Sequence, residues 1–366
     1  MKNKMFKRDV LFLIKLFLFG FLLFVLGFFF LLFPKETAAN VSEGIELCLS
    51  VLVPSLFPFM VLSSAFSSCE LCEKLSSVFK KPFSFVFSLG SNCFCPLVVS
   101  AFGGYPTAAF CAGRLFEKGM ISKRDFRRLL LFAINPSPSF VVGAVGTMLL
   151  GSKKTGAAIF FSVLFSSFIL GIFSRFVKTG EDEEKIKERP AFFEAGPFSK
   201  TIVDSIMQSG KAMLFICFSV LFFSAALAFT DKFFPSKEGS VFFGALFEVS
   251  CAVKRCCGVL SPEIVTGVIA WGGLCTHFQV MSEVVLSGLK TSVFFAFRVL
   301  HGALSATVCS AVFRLFPAAK PVFSQRAESF SYSSGPSFSF SFCLVMMCVC
   351  LLLGNNFILS KKRKSG

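Results

Sequence analysis

Phe132-Ala-Ile-Asn-Pro-Ser-Pro-Ser-Phe-Val-Val-Gly-Ala-Val-Gly146 is the stretch that decides the fold of this chain. Two prolines, an asparagine and two serines interrupt an otherwise apolar run there. Proline removes a backbone donor and clashes with the preceding helical turn. In lipid, a carbonyl freed in this way must find a partner inside the protein. The stretch therefore predicts a broken helix at membrane depth that faces a cavity, a ligand or a packed neighbour.

The composition around this stretch is that of a membrane protein. Mean hydropathy is +0.75, and of the 366 residues 54% are hydrophobic and only 16% are charged. Soluble domains carry about 25% charged residues. Because the apolar residues also come in long blocks, the sequence predicts an all-α polytopic membrane protein with about 8–10 membrane segments.

The net charge of +16 arises from basic residues at the ends of apolar segments, including both chain termini. This is the positive-inside pattern, so the expected partner is the lipid bilayer and not nucleic acid. We expect an integral protein of a bacterial cell membrane with both termini in the cytoplasm. Fifteen cysteines and two histidines give one CxxC pair, Cys69 and Cys72, and no second pair. No metal site and no cofactor are therefore expected.

The chain lacks the sequence patterns of several enzyme and motor classes. There is no HExxH, no GxSxG and no P-loop of the GxxxxGK[ST] form. The expectation is that the protein is not an enzyme. Any driving force for transport would be an ion gradient or the gradient of the solute itself, and the coupling ion (sodium or a proton) stays open.

Polar segments divide the chain into two related halves. The longest of these segments separates the halves, and short Pro- and Gly-containing stretches interrupt the apolar runs within each half. The predicted division is a basic N-terminus and first anchor at 1–40, a first repeat at 41–177, a charged linker at 178–200, a second repeat at 201–317, a Pro/Ser-rich loop at 318–341, and a last helix with a basic tail at 342–366.

Several local predictions follow the same patterns. Residues 82–102 are expected to form a re-entrant pair of half-helices. Ser122 is the predicted N-cap of an amphipathic helix, and residues 284–316 are expected to form one or two segments with Arg298 and His301 between them. A kink or break of the helix is predicted at Pro54 and Pro58. Helix breaks, or backbone that allows close packing, are predicted at Gly103, Gly104, Pro106, Pro136, Pro138, Gly272 and Gly273.

The polar breaks recur in the same order in both halves, which suggests an internal repeat. Gly104 through Arg114 lies over Gly244 through Lys254, an offset of 140, and Pro136 lies over Leu274, an offset of 138. The alternative to a true repeat is chance similarity between two apolar sequences. Paired broken helices in matching positions indicate a transporter's midplane site. The matching cations Arg114 and Lys254 could attract an anion or extend to lipid headgroups.

The breaks supply the candidate substrate-binding residues. Glu248 stands in an apolar helix, where a carboxylate usually faces the protein interior or a water-filled cavity. Half-helix N-termini carry unpaired N–H groups that suit an anionic solute. For each candidate the alternative is a structural hydrogen bond that satisfies the broken backbone. The full set is Asn135, Ser137, Ser139, Tyr105, Thr107, Glu248, His277 and Gln279.

Five motifs in order resemble the YlbJ-type sporulation integral membrane proteins. They are Pro54-Ser-Leu-Phe-Pro-Phe59, Gly104-Tyr-Pro-Thr-Ala108, Phe132-x-x-Asn135-x-Ser-Pro138, Gly143-Ala-Val-Gly146 and Gly272-Gly-Leu-x-x-His-Phe-Gln279. That family carries the nucleoside-recognition Gate domain. The resemblance implies a fold similar to concentrative nucleoside carriers, and a role in spore formation in which dipicolinate moves across a membrane around the forespore.

Two functions remain open at this stage. The first is a transporter of a small anionic solute that works by alternating access at the paired broken helices. The second is a non-transporting scaffold or gate subunit of a sporulation membrane complex, for which the 178–200 linker and the loop from 316 to 341 are candidate partner surfaces. Whether the protein forms a homo-oligomer is also left open.

Overall fold

The computed structural model describes residues 2–67, 74, 76–177, 198–256 and 259–317. Within these ranges the chain forms helices joined by short loops and contains no strand, which confirms the all-α prediction. The helices are α1 (Lys2–Leu32), α2 (Pro34–Leu47), a π-helix π1 (Cys48–Leu52), α3 (Val53–Ser67), α4 (Lys80–Phe87), α5 (Phe94–Gly103), α6 (Tyr105–Glu117), α7 (Lys123–Phe132), a π-helix π2 (Ser139–Leu149), α8 (Lys153–Phe173), α9 (Phe198–Phe233), α10 (Lys237–Phe247), α11 (Val249–Cys256), α12 (Pro262–Trp271), α13 (Gly273–Ser287) and α14 (Thr291–Leu315).

The lengths of the apolar helices confirm a polytopic membrane protein. Five helical segments of the described chain are long and apolar enough to cross a bilayer. Three shorter apolar helices accompany them, at Leu16–Leu32, Ser91–Gly103 and Ser139–Leu149. The five long segments are Pro34–Phe66, Lys153–Phe176, Ser199–Phe233, Pro262–Ser287 and Thr291–Leu315.

Some predicted segments lie outside the described residues. They are the linker from 178 to 197, the loop from 318 to 341, the last helix and basic tail at 342–366, and the Cys69–Cys72 pair. Residues 198–200 of the predicted linker begin α9.

A kink or break was predicted at Pro54 and Pro58, and the structure shows no break there, because the helix runs on from Pro34 to Phe66. Pro54 comes just after π1 within this continuous helix, so its missing N–H falls at the end of the π-turn. Just before it, π1 widens the helix, and Val53 N–H donates to the Cys48 carbonyl five residues back. Pro58 is accommodated inside α3.

Residues 284–316 were expected to form one or two segments, and residues 291–315 form a single helix. α14 is one helix of 25 residues, and Arg298 and His301 lie buried within it. The second predicted repeat, which starts at residue 201, opens with the 36-residue helix α9. The predicted N-cap at Ser122 is confirmed, since its Oγ accepts from Asp125 N–H at 3.0 Å.

Residues 82–102 fold as two short helices, α4 and α5, on either side of the 88–90 segment and a short 3₁₀ turn. Pro96 lies in the first turn of α5 and does not interrupt it. Buried apolar side chains of the described chain form two clusters, and the Tyr105 ring packs against both. The start of α6 therefore lies between the two cores, where the site is found.

Candidate functional site

Four breaks in the described helices come in two pairs. In the first half, Gly104 separates α5 from α6, and residues 133–137 separate α7 from π2. In the second half, Glu248 separates α10 from α11, and Gly272 separates α12 from α13. The order of the breaks is the same in both halves, while the repeat itself stays a prediction.

The break at residues 133–137 is held in place by side chains from neighbouring helices. The Phe132 carbonyl accepts from Ser167 Oγ at 2.6 Å, and the Ile134 carbonyl accepts from Arg298 Nη1 at 2.8 Å. Asn135 Nδ2 donates to Ser100 Oγ at 2.7 Å and to Ser167 Oγ at 3.0 Å. Asn135 is buried, and these bonds tie the break to α5 and α8.

The last four carbonyls of an α-helix have no hydrogen-bond partner within the helix. In α12, each of these four carbonyls accepts a hydrogen bond. The Val268 carbonyl accepts from Gly272 N–H at 3.0 Å. The next three accept from side chains, which come from three different helices. Tyr105 Oη donates to Ile269 at 2.6 Å, Arg298 Nη2 to Ala270, and His277 Nε2 to Trp271 at 2.9 Å.

Arg298 is a residue of the site that the sequence analysis did not select. Its side chain is fully buried, and its guanidinium joins the Ile134 carbonyl of one break to the Ala270 carbonyl of another. The signal was an arginine inside an apolar helix, since ionisable residues at membrane depth usually serve a site. The planar fork of arginine allows one side chain to serve both carbonyls.

Glu248 is buried, with 2% of its surface exposed, and its backbone is extended (φ −143°, ψ 119°). Its carboxylate caps α11, because Oε1 accepts from Ser250 N–H at 3.0 Å and Oε2 accepts from Cys251 N–H at 2.6 Å. The positive end of the helix dipole favours a carboxylate there. The geometry therefore explains how an acid is stabilised at this depth.

A cavity of about 40 Å³ lies where the breaks of both halves meet. We call it the inner cavity. Four predicted site residues line it, together with Ser250 and Thr276, which were not predicted. The predicted residues are Tyr105, Ser137, Glu248 and Gln279, and the predicted break residues Gly103, Gly104 and Pro106 line it as well.

The structure places the other predicted site residues elsewhere. Asn135 and His277 hold broken helix ends, as described above. Ser139 is half-buried and lies 3.0 Å from Ser137, Oγ to Oγ. Thr107 Oγ1 donates to the Gly104 carbonyl at 2.7 Å and lines a second, larger cavity. Over the described residues, no cluster of three or more His, Cys, Asp or Glu side chains could hold a metal ion.

Comparison with known proteins finds one distant similarity that supports the membrane reading. The chain is 19% identical over 341 residues to the sporulation integral membrane protein YlbJ of Bacillus subtilis (strain 168), covering 82% of this chain and 81% of that protein. No protein-family model matches the chain, and no solved structure matches it.

Proposed function

We propose that this integral membrane protein is a secondary transporter of a small anionic solute that acts in spore formation. The observation that carries the proposal is the convergence of broken helices from both halves on the inner cavity. Broken helices in paired positions place backbone dipoles and polar side chains at membrane depth, where transporters bind their solutes. The sporulation role rests on the name of the distant relative.

The lining of the inner cavity suits a polar solute. Ser137, Ser250, Thr276 and Gln279 bring hydroxyl and amide groups into an otherwise apolar surface that includes Leu52, Leu56 and Phe140. Few precisely placed polar groups in a mostly apolar pocket are typical of small-molecule sites. By the family resemblance, we propose dipicolinate (pyridine-2,6-dicarboxylate) as the solute.

The size of the inner cavity supports alternating access. About 40 Å³ accommodates roughly two or three water molecules, whereas small-molecule sites occupy about 300–1,000 Å³. In the proposed cycle a solute enters only after helices separate, and the arrangement with the small inner cavity is its closed state. Because Glu248 puts a carboxylate in the lining, an anion would bind with a proton or a sodium ion beside it, which we propose as the coupling ion.

The first test replaces the lining carboxylate. Glu248→Gln removes the negative charge and one of the two acceptors that cap α11, so we expect uptake of dipicolinate into proteoliposomes to fall at least about tenfold. Glu238→Gln is the matched control, since Glu238 is exposed in the first turn of α10. Uptake by the Glu248 variant at the control's rate would remove Glu248 from the site.

A second test addresses the break itself. Asn135→Ala removes the bonds from the break to Ser100 and Ser167, so we expect uptake to be lost while the protein still inserts. Asn92→Ala serves as the control, because Asn92 Nδ2 donates to the Met120 carbonyl at 2.9 Å in a loop outside the cavity. Full uptake by the Asn135 variant would show that the break does not need this anchor.

A further inference from the structure

A second and larger cavity lies beside the inner one. It is an open cleft with a volume of about 490 Å³, lined by residues of α3, α5, α6 and α9. This volume is in the range of sites that hold small organic ligands, about 300–1,000 Å³. We call it the outer cavity. Its polar lining includes Ser63, Thr107, Arg114, Gln208 and Lys211.

The outer cavity is cationic. Among the residues that the structure describes, Arg114 and Lys211 line it and no acidic residue does. Glu283 of α13 packs over Gly113, next to Arg114, but is not part of the lining. An anion in the cavity would therefore meet two cations and no carboxylate, which is the opposite of the inner cavity, where Glu248 is the charged residue in the lining.

Hydrogen bonds orient the polar groups at this surface. Arg114 Nη1 donates to Gln208 Oε1, and Ser64 Oγ donates to the same oxygen at 3.3 Å. With its oxygen occupied twice, the Gln208 amide offers N–H donors to a ligand. The cavity thus combines two cations with an amide donor, a set that suits a carboxylate ligand.

Met60 is the one residue that lines both cavities. Its side chain is 1% exposed, so it fills the wall between them. Methionine is unbranched and flexible, which allows it to move with less strain than a branched or aromatic side chain. A solute that passes from one cavity to the other would pass this side chain.

We propose that the outer cavity is an anion-binding vestibule for a small dicarboxylate and that Met60 is the gate between it and the inner cavity. The proposal rests on the proposed transport function. It adds to that function an entry route, a class of ligand recognised before the inner site, and a residue that controls passage.

The vestibule is tested by the double variant Arg114→Gln/Lys211→Gln. The probe is dipicolinate, with neutral pyridine-2,6-dimethanol as the uncharged comparison, and the readout is ligand-dependent thermal stabilisation of the purified protein. We expect the apparent Kd for dipicolinate to rise about tenfold or more at low salt, because two cations are lost. Lys153→Gln/Lys154→Gln, two exposed lysines that line neither cavity, should leave it unchanged.

The gate is tested with Met60→Trp, with Met60→Leu as the volume-conserving control. We expect Met60→Trp to lower dipicolinate uptake at least about tenfold while dipicolinate still stabilises the protein. Met60→Ala, which opens the wall, should raise the uptake rate and keeps the gate testable if the tryptophan variant does not fold. Unchanged uptake in Met60→Ala, or in a folded Met60→Trp, would overturn the gate.

These experiments distinguish a failure of the proposed transport function from a failure of the proposed vestibule. If dipicolinate stabilises the wild-type protein through Arg114 and Lys211 but is never taken up, the transport function fails and the anion site stands. If uptake proceeds and the Arg114/Lys211 variant binds as the Lys153/Lys154 control does, the vestibule fails and the transport function stands.

Discussion

Arg298 is a buried cation whose hydrogen bonds go to backbone carbonyls of two broken helices. The carboxyl end of a helix carries partial negative charge, so a cation is stabilised there. One guanidinium therefore compensates two helix ends that lipid would leave without partners. This couples the first-half break to the second-half break through a single side chain.

Arg298→Lys tests this coupling. A lysine keeps the charge but lacks the fork that reaches both carbonyls, and a buried carbonyl left without a donor costs about 1–3 kcal/mol. We expect a clear fall in the thermal unfolding temperature in detergent, together with loss of uptake. Arg314→Lys, an exposed arginine near the end of the same helix, should unfold like the wild type.

The residues of the site show what a sequence can and cannot predict. A polar residue beside a proline or glycine marks a break, and on that basis Tyr105, Ser137, Glu248 and Gln279 were predicted. The direction of each side chain depends on tertiary packing, so the sequence does not separate these four, which line the inner cavity, from Asn135 and His277, which do not. Arg298 was missed because its carbonyl partners lie 164 and 28 residues away in the chain.

At the scale of elements, the two glycine breaks have different backbone geometry. Gly104 has φ 86° and ψ 178°, a region open essentially to glycine alone, and Gly272 has φ 85° and ψ −11° in the left-handed region. A Cβ at Gly104 would meet Ser137 at ordinary contact distance, 3.5 Å, so the strain there would come from the backbone itself.

Gly104→Ala should therefore destabilise the protein by about 1–3 kcal/mol, and more than Gly272→Ala does. Gly210→Ala is the control, because Gly210 lies in α9 with open space at its Cβ position, and alanine favours a helix. Thermal unfolding of the three variants in detergent provides the measurement. Equal unfolding temperatures for Gly104→Ala and Gly210→Ala would contradict the assigned backbone geometry.

The helix ends could be predicted where local chemistry decides them, as at Ser122, whose side chain caps α7. A kink or break was predicted at Pro54 and Pro58, and the described helix continues through both prolines. A π-turn lies just before Pro54, at the point where proline cannot donate a backbone hydrogen bond. The spacing of the prolines does not predict this π-turn, because the continuity of the helix depends on its packing against neighbouring helices.

At the scale of the molecule, the two ends of the bundle differ in basic residues. The turn between α6 and α7 is flanked by Lys118, Lys123, Arg124, Arg127 and Arg128. At the other end, Phe33 packs against Phe233, and three basic residues there pair with acidic ones, Lys232 with Glu36, Lys254 with Glu43 and Arg255 with Asp231. From the cluster of basic residues at the α6–α7 turn, we predict by the positive-inside rule that this end faces the cytoplasm.

Epitope tags test this orientation. One tag follows Gly119, whose Cβ position faces open space, and the other lies between Phe234 and Pro235. In right-side-out membrane vesicles we expect antibody to bind only the second tag, and in inside-out vesicles only the first. The reverse pattern, or both tags on one side, would contradict the assigned orientation.

The π1 segment has a mechanical consequence for the helix that follows it. A π-turn holds one residue more than an α-turn, so its conversion to α geometry would shift α3 by one residue in register. One residue corresponds to a rotation of about 100° and an advance of about 1.5 Å along the axis. Such a step would turn Met60 away from the wall that it now fills, so a change in the backbone of one helix would be coupled both to the passage and to the packing of α3 against α5 and α9.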